Sequence, residues 1–303
     1  MSSVPGYEFA PYLTENPVLP AGSAGKRGYL RMVFEMDGEG RSVLRDLERR
    51  TPLIVQQELY FDEQMPQMPC VYILSSGGPN VDGDRYEQNI TVRRGACAHV
   101  STGAATKLAE MHHDCSIMTQ RFTLEDDAYL EYLPEPTIPC RHTRYACDTS
   151  IEVSPSATLF YSEIYTCGRR YYGDERFVYD VLSLSVRGSR PGGDELFREK
   201  MVIRPYENSP LSVGAMNGYD VFANVVVLTP ESIAETVYAS TEPFIDRDRG
   251  VAAGITRLPS ACGLSFRVLG RDTEPVKRVV REFCSAVRMA VKGRPLFDEF
   301  PWR

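Results

Sequence analysis

Along the chain, apolar residues fall in short alternating or β-branched runs separated by Gly, Pro, Asp and Asn, the period-2 signature of half-buried strands. Such runs occupy residues 53–61, 71–74, 88–92, 116–124 and 129–133, then 149–153, 158–164, 177–186 and 200–203. So many short strands predict a mainly β fold, built as a sandwich, a barrel or packed sheets with β-solenoid-like character. Nothing in the pattern reads as a doubly wound alternation of strands and helices. The Pro- and Gly-rich stretch 188–193 reads as a long hairpin tip.

Two segments in the last third change period from 2 to 3.6. Thr229-Pro230-Glu231 reads as an N-cap followed by Pro at the first helical position, with Ile233 and Val237 four apart on one face. Asp272 or Thr273 opens a second, longer helix in which Val276, Val279, Val280, Phe283, Val287 and Val291 recur at helical spacing until Gly293 closes it. Such a stripe packs on a β layer, leaving a neighbouring face for a partner. No internal repeat or convincing linker divides the chain, so residues 28–303 read as one domain. Residues 1–27 read as an N-terminal extension, poorly ordered at its start.

The chemistry concentrates in two glycine-marked turns on either side of a strand-like 90–94. Asp82 and Asp84 stand two apart in the first, and Ser101, Thr102, Thr106 and Lys107 crowd the second. Small hydroxyls and carboxylates at tight turns suit either a phosphate cradle or a hard-cation site, and the spacing does not choose between them. The cluster His112-His113-Asp114-Cys115 offers imidazole and thiolate ligands for nickel or zinc. Adjacent histidines point in different directions, however, so a single ion would need ligands from elsewhere, and a polar surface turn is the competing reading.

Composition narrows the field. The 303 residues are 43% apolar, enough for a sizeable core, and carry a net charge of −7, which argues against a nucleic-acid or anionic-membrane partner. No apolar window approaches the length of a membrane helix, and the first residues lack a secretory signal, so a cytoplasmic protein is expected. The eight cysteines show no CxxC spacing and read as reduced, buried small hydrophobes. A P-loop would need GxxxxGK followed by Ser or Thr, and the nearest approach, Gly25-Lys26, lacks both flanking features. A GxSxG elbow is missing too, and the acidic pairs Glu131 with Glu135 and Asp174 with Glu175 have no evident catalytic partners. The chain therefore reads as a non-enzyme.

Five blocks then occur in a telling order: YILSSGGPNVDGDR (72–85), TGAATK (102–107), LEYLPEPTIP (130–139), EIYTCGRRYYGDERF (163–177) and AGITRLPSACGLSFRVLG (253–270). In this order they resemble the urease accessory protein family UreD, also called UreH, over nearly the whole chain from about Gly28. The resemblance implies a β-rich scaffold that bridges apo-urease to a helical accessory protein (UreF-type) and through it to a nickel-delivering GTPase (UreG-type). It also implies a water-filled internal passage, with Ni2+ as a transient cargo and no tightly bound cofactor. Residues expected to line that passage are Asp84, Ser101, Thr102, Glu131, Glu135, Glu163 and Glu175, since carboxylates inside a β core are costly unless hydrated, paired or metal-bound. Thr106, Lys107 and Arg169 would support them, and Arg278 and Arg281 on the last helix would dock a partner. Two other readings stay open: the same scaffold serving a different nickel-dependent amidohydrolase, and a stand-alone metal-dependent hydrolase.

Overall fold

A computed structural model describes residues 5–13 and 25–297 of the chain. The expectation of a poorly ordered start therefore falls largely on residues outside this set. The described residues form eighteen strands and two α-helices. In chain order the strands begin with β1 (Arg27–Met36), β2 (Ser42–Arg50), β3 (Leu53–Ile54), β4 (Cys70–Ser75), β5 (Arg85–Val92) and β6 (Cys97–Thr102). They continue with β7 (Thr106–Leu108), β8 (Ser116–Leu124), β9 (Tyr129–Leu133), β10 (Thr137–Pro139), β11 (Arg144–Val153) and β12 (Thr158–Thr166). The last six are β13 (Val181–Ser189), β14 (Glu195–Ile203), β15 (Val221–Leu228), β16 (Phe244–Asp246), β17 (Val251–Arg257) and β18 (Gly263–Gly270). Helix α1 (Glu231–Ser240) lies between β15 and β16, and α2 (Thr273–Lys292) follows β18.

The fold is mainly β, as the periodicity predicts. A first sheet has the order β14-β13-β11-β8-β5-β1-β2, and a second runs β16-β17-β18-β15-β12-β9-β6-β4-β3 with β7 and β10 attached beside it. From β5 to β13 the longer strands alternate between the sheets, and each pairs in parallel with an earlier strand of its own sheet. One row of paired residues in the first sheet is Tyr86, Met118, Cys147 and Leu184; one in the second is Cys70, His99, Glu131 and Phe160. Beyond β12 the second sheet turns antiparallel through β15, β18, β17 and β16.

Alternation sends each strand's two faces to different cores. Leu130, Tyr132, Leu159 and Tyr161 point between the sheets, while Leu133, Phe160 and Ile164 face the helices. Helix α2 covers that outer face with the predicted stripe: Val276, Val280, Phe283 and Val287 are buried, and the Phe283 ring stacks on Phe266 at 4.1 Å. Gly293 ends α2 in the left-handed region at φ 66°, as the sequence predicts. In α1, however, Pro230 occupies the cap position itself, and Thr229 pairs its hydroxyl with Thr158 at 2.7 Å.

Several strand expectations are corrected. The run 53–61 yields only Leu53–Ile54 and an isolated bridge from Leu59 to Cys70, because Gln56-Gln57-Glu58 interrupts the apolar alternation. The run 177–186 starts pairing only at Val181, since Phe177 adopts φ 53° in a turn. Ser101 and Thr102 lie in β6, and Thr106 and Lys107 in β7, rather than in one crowded turn. The 188–193 stretch does form the tip between β13 and β14, where Gly188 leaves room for the Phe197 ring at a distance no Cβ would tolerate. In the extension, residues Tyr7–Tyr12 form a short 3-10 helix whose Phe9 is buried against Cys115, Ile117 and Val181.

Candidate functional site

The helix-facing side of the second sheet carries a buried ionic cluster. Parallel register sets His99 of β6 directly beside Glu131 of β9, and their side chains meet at 2.8 Å from Nδ1 to Oε2. Tyr129, two residues along the same face, donates its hydroxyl to the other Glu131 oxygen. From above, α2 delivers Arg288, which donates from Nε and Nη2 to Glu131 at 2.6 Å each and from Nη1 to Asp62. The side chains of Arg288, Glu131 and Asp62 are completely shielded from solvent.

Burial by itself would raise the Glu131 pKa, but the bonds from Arg288 and His99 prevail and hold it at about 2. The same burial depresses His99 despite its carboxylate neighbour, so the imidazole is neutral and donates from Nδ1. A cavity of about 30 Å³, room for a water or two, adjoins His99 and is walled by Ser101, Glu135, Lys277, Arg281 and Phe297. Ser101 donates to the Leu133 carbonyl at 2.6 Å, Thr102 accepts from the Glu135 amide at 2.9 Å, and Lys277 pairs with Glu135 at 3.2 Å. Three expected lining residues, Ser101, Thr102 and Glu135, thus gather at the C-terminal end of β6 and β9, and a fourth, Glu131, lies at mid-strand beside His99.

A second polar group lies on the opposite face, between the two sheets. Gln120 is its hub: it donates to Tyr132 at 2.8 Å and Gln88 at 3.2 Å, and accepts from Thr149 at 2.9 Å and Tyr161 at 3.1 Å. Farther along β12, Glu163 receives the Tyr165 hydroxyl on one oxygen at 3.3 Å. Its other oxygen has no hydrogen-bond partner among the described residues. Burial raises the Glu163 pKa by disfavouring the charged carboxylate.

The remaining expected residues are fastened elsewhere. Asp84, fully buried, accepts from the backbone of Lys26 and Val81 at 2.8 and 2.9 Å, from the Tyr86 hydroxyl at 3.0 Å and from the Lys26 amine at 2.9 Å. Glu175 is gripped by both arms of Arg169 at 2.7 Å, which lowers its pKa. Among the described residues these networks share no hydrogen-bond partner with Glu131 or Glu163. Lys107 is exposed on β7, with Thr106 half-buried beside it. On α2, Arg278 is exposed, whereas Arg281 is half-buried and donates to the Phe297 carbonyl at 2.8 Å.

At the histidine cluster, the backbone amides of His112, His113 and Asp114 all point at the Asp82 carboxylate, and Asp114 pairs with Arg85 at 3.0 Å. Cys115 is buried, and burial pushes its thiol up to about 12. Among the described residues no three His, Cys, Asp or Glu side chains converge as a metal centre. All eight cysteines are free and buried, as composition predicts.

Sequence reasoning passed over Asp62, His99 and Arg288. One signal for Arg288 was available: it stands four residues after Cys284 and one after Val287, inside the apolar stripe of α2, where a lone cation needs a buried partner. Asp62 lies in a loop 226 residues away, and only the fold joins it to Arg288.

Residues 26–303 match the family described as UreD urease accessory protein. The chain is 42% identical over 296 residues to urease accessory protein UreD 2 of Brucella suis biovar 1, covering 97% of this chain and 98% of that protein. It is equally 42% identical, over 303 residues, to urease accessory protein UreD of Yersinia enterocolitica, covering 98% and 92% respectively. The matched proteins are named as accessory factors of an enzyme and not as enzymes. With a family match that takes in both polar clusters and nearly all of the fold, the chain belongs to the UreD family of urease accessory proteins.

Proposed function

We propose that this chain acts in urease maturation as a cytoplasmic scaffold that holds apo-urease together with a helical UreF-type protein, which carries a UreG-type GTPase, and that Ni2+ crosses its interior as cargo. The observation that supports the passage is the polar seam between the sheets, from Gln88 and Gln120 through Tyr161 toward Glu163, whose one oxygen lacks a partner. Each buried polar group costs free energy unless it is compensated, so the uncompensated Glu163 oxygen is a feature that packing by itself does not account for. Oxygen ligands that are incompletely satisfied suit an ion in transit, since a conduit must bind weakly enough to release. No helix among the described residues is long and apolar enough to cross a membrane.

The test is Glu163→Leu, which removes the oxygen ligand and narrows the seam while keeping an apolar-compatible volume. The assembled complex should still co-purify, with urease activation reduced. Full activation by a complex carrying this substitution overturns the passage. Glu131→Leu is the poorer probe, because it would strand Arg288 in the interior and so confound transport with stability.

A further inference from the structure

Antiparallel register places Glu163 of β12, Asn224 of β15 and Arg267 of β18 in one lateral row across the second sheet. All three point to the inter-sheet side, where the edge strand β14 of the first sheet presents Glu199. Arg267 bridges the gap, donating from Nη1 to the Asn224 side-chain oxygen at 3.0 Å and from Nη2 to Glu199. Behind this bridge is a cavity of about 10 Å³, the room one water needs, and Glu163 forms part of its wall. In front of it is an open crevice of about 560 Å³. The two spaces share Met201, Asn224 and Arg267 as walls.

We propose that Glu163, Asn224 and Glu199 form an oxygen-donor site for a divalent cation, that the Arg267 guanidinium is its resident counter-ion, and that the crevice is its mouth. Three features carry this. Glu163 is only 7% exposed, and the unpartnered oxygen belongs to the residue that lines the cavity. The donors, two carboxylates and an amide oxygen, are the hard ligands that divalent cations accept in small numbers alongside water. Arg267 is held only at the boundary, its side chain 43% exposed, so the guanidinium can swing into the crevice without unpacking the sheet.

The choice of cation rests on the nickel-passage reading, whereas the site does not. The experiment is calorimetric titration of the full chain with NiCl2, with thermal melts as a folding control. Arg267→Gln removes the competing charge and should tighten Ni2+ binding at least tenfold, and Asn224→Asp, which adds a charged donor, should do so independently. Arg267→Lys, which keeps the charge, should not. Adding Glu163→Gln to Arg267→Gln should abolish the gain. Unchanged affinity in both Arg267→Gln and Asn224→Asp, or a gain that survives loss of the Glu163 carboxylate, overturns the site. That failure is separable from failure of the passage: impaired urease activation by Glu163→Leu together with unchanged Ni2+ binding in these variants would keep the passage and remove its gate.

Discussion

Replacing Arg288 with Ala is the sharpest perturbation the fold allows. The guanidinium is fully buried and makes two 2.6 Å bonds to Glu131, one to Asp62 and one of 3.3 Å to the Pro295 carbonyl. Its loss leaves two fully buried carboxylates without their cation. Removing one partner of such a pair typically costs about 3–5 kcal/mol. In a domain of this size each kcal/mol lowers Tm by about 2–4 °C, so the midpoint should fall by roughly 6–20 °C. Differential scanning fluorimetry with urea titration measures both quantities. The reasoning also makes a second, stricter demand. In Glu131→Leu with Arg288→Leu both ends of the main pair are apolar, while Asp62 keeps the amides of Gln64 and Met65 at 3.0 and 3.2 Å. The double variant should therefore be more stable than the sum of its single variants by roughly 1–3 kcal/mol. An Arg288→Ala protein within about 1 kcal/mol of the parent, or strict additivity in the cycle, would refute the account of this cluster as the anchor of α2.

Two further outcomes follow from the same geometry. The Glu131 pKa lies near 2, below its ordinary 4.5, so its ion pair contributes stability above about pH 4.5 that is lost as pH falls toward 2, whereas the raised Glu163 has the opposite sign. Urea titrations across this range should show the acid-side loss, and Glu163→Gln should stabilise the chain relative to the parent increasingly as pH rises above about 4.5; no such gain would contradict the burial argument. Arg278→Glu, on the exposed flank of α2, should weaken co-purification with a helical partner while leaving the melting midpoint unchanged; an intact complex would move the docking face elsewhere.

Much of this protein was legible before any fold was known. Short alternating runs specify β structure because the side-chain period of a strand is 2 regardless of partner, and the Val and Phe stripe of α2 specifies a one-sided helix for the corresponding reason at 3.6. Strands without alternation were harder to see. Val221–Leu228 is buried on both faces and carries no polar rhythm, and it was missed; Cys97–Thr102 was missed too, since its polar His99 and Ser101, which alternate with Ala98 and Val100, are as buried as their apolar neighbours. The five blocks identified the family, and they marked acidic residues worth watching. What each acid does was decided only by register and packing. Glu131 and Glu163 look alike in sequence, each a Glu two residues after a Tyr in a predicted strand. Yet one faces α2, where Arg288 arrives from 157 residues away to hold it ionised, and the other faces the inter-sheet space, where one oxygen has no partner among the described residues. The same holds for Arg267, whose role depends on Glu199 reaching it from the opposite sheet. Local sequence sets which face a side chain can take, because that depends on its own backbone. The partner it meets there belongs to a distant strand or helix, and only the tertiary structure supplies it.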